Sequence, residues 1–341
     1  CEEDVDYFTN NGSVLVDTII SQKGFYLNYG DQEKGVNYLE EYNVPVIKAV
    51  FDYYNSPADY NASTHGVNPQ SLAFQVTQPE IDGATEYIWV AGRVQDPDNP
   101  DKYYYKAHDQ QVDWLTDRAI SWSELGRTDN SDKNISIIYY NHGGGKSNIG
   151  ASYLDIASSF ELLLQNMNNT GYDTGEKDIP NASQFIDLFI ESRNVGSWAP
   201  GELEKVVESG NVTLVPKDEY MKWYNDLPDS VREDVEDRWG EPPGDIMVYE
   251  DNFVIPAIQM GNVNFVPQPM RGDLSDESTI YHDKELPPTH HYLATYFWIN
   301  HVYDADAMIH FGTHGTQEWL PGKEVGLWKY DYPSIMVNDT P

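Results

Sequence analysis

Cysteine is almost missing: Cys1 is the single one in 341 residues. A disulfide framework within the chain and a thiolate zinc site both need more than one, so neither is expected. No uninterrupted apolar stretch nears the ~20 residues that a membrane-spanning helix requires. Basic residues are scarce too, 21 Lys and Arg against 56 Asp and Glu, for a formal net charge of −35. Such a chain repels phosphate backbones and anionic lipid surfaces, which argues against nucleic acid as a partner. The same acidity suits a salt-rich milieu, an exported protein or basic partners. Internal repeats and low-complexity tracts are absent, as are an initiator Met and a signal peptide. The chain opens at Cys1 and stops at Pro341 mid-phrase, so an internal fragment of a longer protein is expected.

What is present is enough for two domains of ordinary size: 40% apolar residues and 13% aromatics, with 25 Tyr against 11 Phe. Seven Asn-x-Ser/Thr sequons occur, at Asn11, Asn61, Asn134, Asn168, Asn181, Asn211 and Asn338. Chance gives roughly three in this composition, and the excess leaves export or a cell-surface location open.

The first section, residues 1–127, alternates strand and helix. Ser13 to Ile20, Val44 to Phe51 and Tyr87 to Ala91 have strand character, and Asp31 to Tyr42, Asn68 to Gln75 and Val112 to Leu125 have helical spacing. Strands separated by helices predict Rossmann-like parallel βαβ units, an α/β fold. Asp96 to Lys102 predicts a surface turn, and the polar run Arg127 to Lys133 predicts a domain boundary.

A second α/β domain is expected over 133–341. It opens with a strand, Asn134 to Tyr140, then the loop Asn141-His142-Gly143-Gly144-Gly145-Lys146-Ser147-Asn148, then a helix from Ile149 to Asn166. Strand, glycine loop and helix together present backbone N–H groups to an anion. A nucleotide P-loop would need glycine where Tyr140 stands, so no nucleotide is expected on this fragment. An anion site for ligand carboxylates, with Gly143, Gly144, Gly145 and Lys146, competes with a tight turn bearing a surface lysine. Helices are expected over 182–192, 200–209 and, broken at Pro228, 217–239. Extended segments at 246–257 and 262–266 lead to the loop Pro267-Gln268-Pro269-Met270-Arg271-Gly272-Asp273. Pro287 and Pro288 then open a helix, Thr289 to His301, with Tyr292, Leu293, Tyr296 and Phe297 on one face, before a strand at Ala307 to Phe311.

Six of the nine histidines, His282, His290, His291, His301, His310 and His314, fall within 33 residues, where an even spread would put about one. Imidazole ligates metals and exchanges protons near neutrality. His310 ends a strand, His314 lies in the turn beyond it, and Glu318 starts the next helical turn. Two imidazoles and a carboxylate at a strand's carboxyl end are candidate proton and metal handlers, with structural hydrogen bonding or helix-terminus stabilisation as the alternative. Arg271, on a Pro/Gly-bounded loop, suits either a carboxylate clamp or a salt bridge. Lys323 has the same two options.

Taken together, these motifs resemble a known family. His310-Phe311-Gly312-Thr313-His314-Gly315-Thr316-Gln317-Glu318-Trp319-Leu320-Pro321-Gly322-Lys323 is similar to the signature of CobN, the cobaltochelatase large subunit, and of the porphyrin-binding H subunit of magnesium chelatase. So are Tyr140 to Asp155, Gln268 to Gly272, Tyr281 to Asp283, Leu286 to Ala294, Pro79 to Gly83 and Ala91 to Arg93, in family order. Departures are Gly143-Gly144 in place of prolines and the stretch Trp328 to Tyr332. The resemblance implies a large subunit that binds a tetrapyrrole and inserts a divalent metal, cobalt first, with magnesium or nickel as the other choices. It implies separate AAA+ ATPase subunits that hydrolyse ATP, and a cytoplasmic location. Metal insertion displaces two pyrrole protons, so a base and metal ligands are needed, roles that His310, His314 and Glu318 fit. Lys146, Arg271, His290 and the three glycines fit the holding of peripheral carboxylates. The rival class is a non-catalytic tetrapyrrole- or metal-binding module, possibly exported.

Overall fold

The computed structural model describes residues 5–140, 153–175, 178–196, 199–272, 283–313 and 315–341. They form two compact units. The first comprises residues 1–127, 322–334 and 341, and the second residues 128–321 and 335–340. The chain therefore crosses between units more often than a single boundary at 127–133 implies, and the segment Gly322–Ser334 belongs to the first.

In the first unit, strands β1 (Ile19–Ser21), β2 (Val46–Asp52), β3 (Glu86–Asp96) and β4 (Asn99–Ala107) make one sheet in that spatial order. β1 to β3 are parallel, and β4 folds back antiparallel on β3. Helix α1 (Gln32–Tyr42) joins β1 to β2, and Asp31 caps it by accepting from the Lys34 amide at 3.2 Å. Ile47, Ala49, Ile88 and Val90 pack on one face against Trp114, Leu115 and Ala119 of α2 (Asp109–Arg127). Val50 and Trp89 bury the other face with Tyr60, Val67 and Val76, and the Tyr60 and Trp89 rings stack at 4.0 Å. Burial on both faces is why β2 is a nearly continuous apolar run.

Two expectations need correction here. The segment 96–102 is not only a turn: the reversal is tight, and β4 begins already at Asn99. Its side chains, Tyr103 to Tyr105 included, are exposed, so no apolar alternation marks it in the sequence. Ser13 to Ile20 is likewise not one strand, but a short hairpin strand at Ser13–Val14 followed by β1.

In the second unit, β5 (Ile135–Tyr139) is central to a sheet of order β9–β10–β5–β11, with β9 at Ile258–Met260, β10 at Val263–Pro267 and β11 at Ala307–Phe311. β10 and β11 flank β5 in parallel, and β9 is an antiparallel edge. The α/β class thus holds in both units, while an antiparallel edge strand in each departs from an all-parallel Rossmann-like sheet. Helices α3 (Ile156–Asn169) and α4 (Ala182–Glu191) cover one face through Phe160, Leu164, Phe185 and Phe189. Asp155 caps α3, so this helix starts seven residues after Ile149, which lies outside the described residues. A second, antiparallel sheet pairs Val212–Pro216 with Asn252–Pro256 and Val248–Tyr249.

Helix α5 (His290–His301) is capped by Thr289, whose Oγ1 accepts from the Tyr292 amide at 3.0 Å. Its ten residues from His290 to Ile299 are all buried, not one face alone. A helix that is apolar or aromatic all round belongs in a core. Among the described residues no helix is long and apolar enough to cross a membrane.

Candidate functional site

Three parallel strands end side by side in the second unit. Tyr139, the last residue of β5, is in register with Pro267 of β10 on one side and Phe311 of β11 on the other. From each of these ends the chain enters one of the motifs singled out in the sequence. β5 leads through buried Tyr140 to the glycine loop, β10 to Gln268–Gly272, and β11 to Gly312–Trp319. Ligands of open α/β sheets bind in the crevice outside such carboxyl ends. Gly143, Gly144, Gly145, Lys146 and His314 lie outside the described residues.

Gln268 ties two of these loops together. Its backbone N–H extends the ladder to Tyr139 O at 2.8 Å. Its side-chain Oε1 accepts from the Thr316 amide at 2.9 Å, and its Nε2 donates to Tyr292 Oη at 3.5 Å. The loop passes so close that a Cβ on Gly315 would sit 3.1 Å from Gln268 Nε2. Thr316 Oγ1 and Tyr292 Oη are 2.9 Å apart.

One turn along α5, Tyr296 Oη lies 2.9 Å from His310 Nε2. The Tyr296 ring stacks on the imidazole at 5.9 Å and on the Tyr292 ring at 5.4 Å. Burial holds the Tyr296 phenol well above its ordinary pKa, so it keeps its proton. The protein packed around His310 pushes the imidazole pKa down, yet the residue is exposed to solvent. Nε2 is held against the buried Tyr296 hydroxyl, and desolvation there favours the neutral ring. At neutral pH His310 is an uncharged, accessible imidazole anchored through one nitrogen.

The other candidates are placed differently. His290 is 2% exposed and both ring nitrogens are engaged: Nε2 donates to Gly240 O at 2.8 Å and Nδ1 lies 2.8 Å from Tyr220 Oη. A carbonyl accepts only, so Nε2 carries the proton and Nδ1 takes the Tyr220 hydroxyl proton, which fixes a neutral ring. Burial lowers its pKa in accord. His291 Nε2 donates to Val254 O at 2.9 Å, and burial pushes its pKa down to about 4. His301 is exposed and stacks on Trp223. Arg271, 3% exposed, donates through its terminal nitrogens to Trp319 O at 2.9 Å and Leu286 O at 2.6 Å. The guanidinium thereby joins the loop after β10 to the turn after β11, and its buried Nε has no partner among the described residues. Glu318 is exposed in the helical turn Gln317–Trp319. Among the described residues no three His, Cys, Asp or Glu side chains gather as a metal site; the expected set includes His314, outside them.

Lys323 belongs to the first unit, where Nζ donates to Ser63 O at 2.6 Å and sits 4.8 Å from the Tyr60 ring centroid. Sequence reasoning missed Gln268, Tyr292, Tyr296 and Thr316 as parts of the site. The one available signal was the Tyr292/Tyr296 pair at i, i+4 on a helix leading into β11, which was assigned to core packing.

A mainly parallel α/β sheet with three strand ends leading into motif-bearing segments, and an accessible neutral imidazole at one of them, is the architecture in which α/β proteins bind ligands. The chain belongs to the CobN/Magnesium Chelatase family, whose model matches residues 1–341. It is 30% identical over 336 residues to the chloroplastic magnesium-chelatase subunit ChlH of Oryza sativa subsp. indica, covering 97% of this chain and 23% of that protein. It is 31% identical over 305 residues to the aerobic cobaltochelatase subunit CobN of Pseudomonas aeruginosa, covering 88% of this chain and 24% of that one. Among solved structures it is similar to the catalytic subunit of cobaltochelatase from Mycobacterium tuberculosis, with a TM-score of 0.79 and 26% identity, over 99% of this chain and 28% of that chain. The chain thus spans about a quarter of the length of the relatives it matches.

Proposed function

We propose that this chain is part of the large, tetrapyrrole-binding subunit of an ATP-dependent chelatase that inserts a divalent metal, cobalt in the first instance, into a corrin or porphyrin ring. The observation that carries the reading is that three parallel strands end side by side at Tyr139, Pro267 and Phe311, and that the sequence runs from each end into one of the motifs. His310 takes up a pyrrole proton as the metal enters, and His314 and Glu318 complete the set that handles proton and metal. The glycine loop with Lys146 holds peripheral carboxylates through amide donors and one ammonium. Arg271 and His290 serve substrate binding mainly by holding loops and helix in place. Tyr140, buried where a P-loop needs glycine, supports ATP hydrolysis by separate AAA+ subunits. A cytoplasmic setting follows from that partnership.

The test separates binding from insertion. In the full-length subunit, His310→Ala and Glu318→Gln leave macrocycle affinity, read from absorbance titration, within a few-fold. Insertion with the ATPase partners falls by roughly 10²-fold, the scale of losing a general base. Near-normal insertion in both variants would move the base elsewhere.

A further inference from the structure

The first unit contains a cavity of about 470 Å³. Its walls come from β1, β2, α1 and the turn before β3, and they are mostly apolar: Phe8, Ile19, Leu27, Leu39, Tyr42 and Val46. Into this lining the sequence sets one buried cation. Lys48, at the middle of β2, is 1% exposed. Its Nζ donates to Gln22 O at 3.0 Å and Ala49 O at 2.7 Å. An ammonium has three protons, and among the described residues the third has no acceptor.

Among the described residues no carboxylate pairs with it, and desolvation alone brings its pKa down to about 8, so the amine is still mainly charged at neutral pH. Asp82 also lines the cavity, but its Oδ2 accepts from the Leu27 amide and its Oδ1 faces Gly35 of α1, where an added Cβ would lie 3.3 Å away. That carboxylate braces the wall rather than the amine. Lys23, at the exposed rim, donates to Leu27 O at 2.8 Å and gives the lining an excess of one positive charge over Asp82.

A buried charge that meets only carbonyl dipoles costs several kcal/mol unless something offsets it, roughly the scale of losing one partner of a buried pair. A folded chain of net charge −35 has acidic side chains in plenty, yet among the described residues Asp82 is the one carboxylate in the lining, and it is engaged by the Leu27 amide. The void beside the amine has room for a ligand with an aromatic ring and a short chain.

We propose that this cavity binds a small monocarboxylate with an aromatic or branched apolar tail, its carboxylate on Lys48 Nζ and its tail among Phe8, Leu39 and Tyr42. The site is independent of the chelatase reading: it uses no residue of the second unit.

The experiment compares two probes, 4-phenylbutyrate and its neutral isostere 4-phenylbutanamide, by isothermal titration of the full-length protein. Wild type binds the carboxylate at least tenfold more tightly than the amide. Lys48→Met removes that preference, weakening the carboxylate at least tenfold and leaving the amide within threefold. Leu39→Trp fills the cavity and abolishes both. Equal affinity of the two probes for wild type, no binding of either, or a Lys48→Met variant that binds the carboxylate as before would each overturn the proposal. The wild-type comparison and Leu39→Trp decide it should Lys48→Met not fold.

Discussion

Tyr296→Phe removes one oxygen atom from the interior and isolates what that atom does for His310. The hydroxyl is 2.9 Å from His310 Nε2, on a fully buried ring that stacks against the imidazole. The aromatic packing survives the substitution, so the stability cost is that of a hydrogen bond, about 0.5–1.5 kcal/mol. The functional cost has two parts. With Nε2–H taken as the donor to Tyr296 Oη, Nδ1 holds the lone pair and is the basic nitrogen. Without the partner, the two neutral tautomers approach equal population, which halves the reactive form. The freed ring also samples other orientations, which costs a further small factor. Together these give about a 3- to 10-fold fall in metal-insertion rate, well short of the roughly 10²-fold expected on deleting the base itself. The assay is single-turnover insertion by the full-length subunit with its ATPase partners, alongside macrocycle titration, which should not change. A loss as large as that of His310→Ala, or none at all, would refute the assignment of Tyr296 as the group that sets the His310 tautomer.

Two further outcomes follow from buried polar groups. Arg271→Met strands the Trp319 and Leu286 carbonyls and should lower stability by about 2–4 kcal/mol in urea unfolding, while also weakening macrocycle binding through the loosened loops; an unchanged midpoint would remove the tying role. His291, neutral when folded with its pKa down at about 4 against 6.5 in the unfolded chain, contributes stability that is complete above pH 6.5 and is lost as pH falls toward 4. The loss is about 3 kcal/mol, and His291→Leu should therefore show a shallower decline in unfolding midpoint between pH 7 and 4 than wild type does.

The α/β class was legible because buried parallel strands are written as short apolar runs: 44–51 and 134–140 carry them with few interruptions, Lys48 and Ser136 among them. β4 was not legible, because an exposed edge strand of tyrosines and lysines has no face to hide and so no alternation to read. Nor was the extent of burial of α5 legible, since Tyr292, Tyr296 and two histidines look polar until hydroxyl and imidazole find partners inside. Within the site, the loops were visible as motifs, but the connections between them were not. That Gln268 joins the Thr316 amide to the end of β10 depends on a 48-residue separation in sequence that only the sheet order closes.

The same closure explains why one signature does two kinds of work. Its first part, His310 to Trp319, follows β11 to the sheet edge, where chemistry needs loops at strand ends. Its end and the residues that follow, Gly322 to Gly326, are structural in the first unit: the Val325 carbonyl accepts from the Val67 amide at 2.9 Å, the Val325 amide donates to His65 O at 3.1 Å, and Gly326 O accepts from buried Tyr60 Oη at 3.0 Å. Gly66 meets that segment so closely, with φ +76°, that a Cβ there would lie 2.0 Å from Val325 O. A side chain cannot be admitted at such a distance without moving backbone. Glu324 and Val325 are thus held by backbone pairing with a loop more than 250 positions earlier, Lys323 and Gly326 by side-chain bonds to the same region, and their identity reflects the packing of the first unit. His310 and Glu318 upstream face a different demand, that of an exposed position at or beyond a strand's carboxyl end, where side chains can meet a ligand.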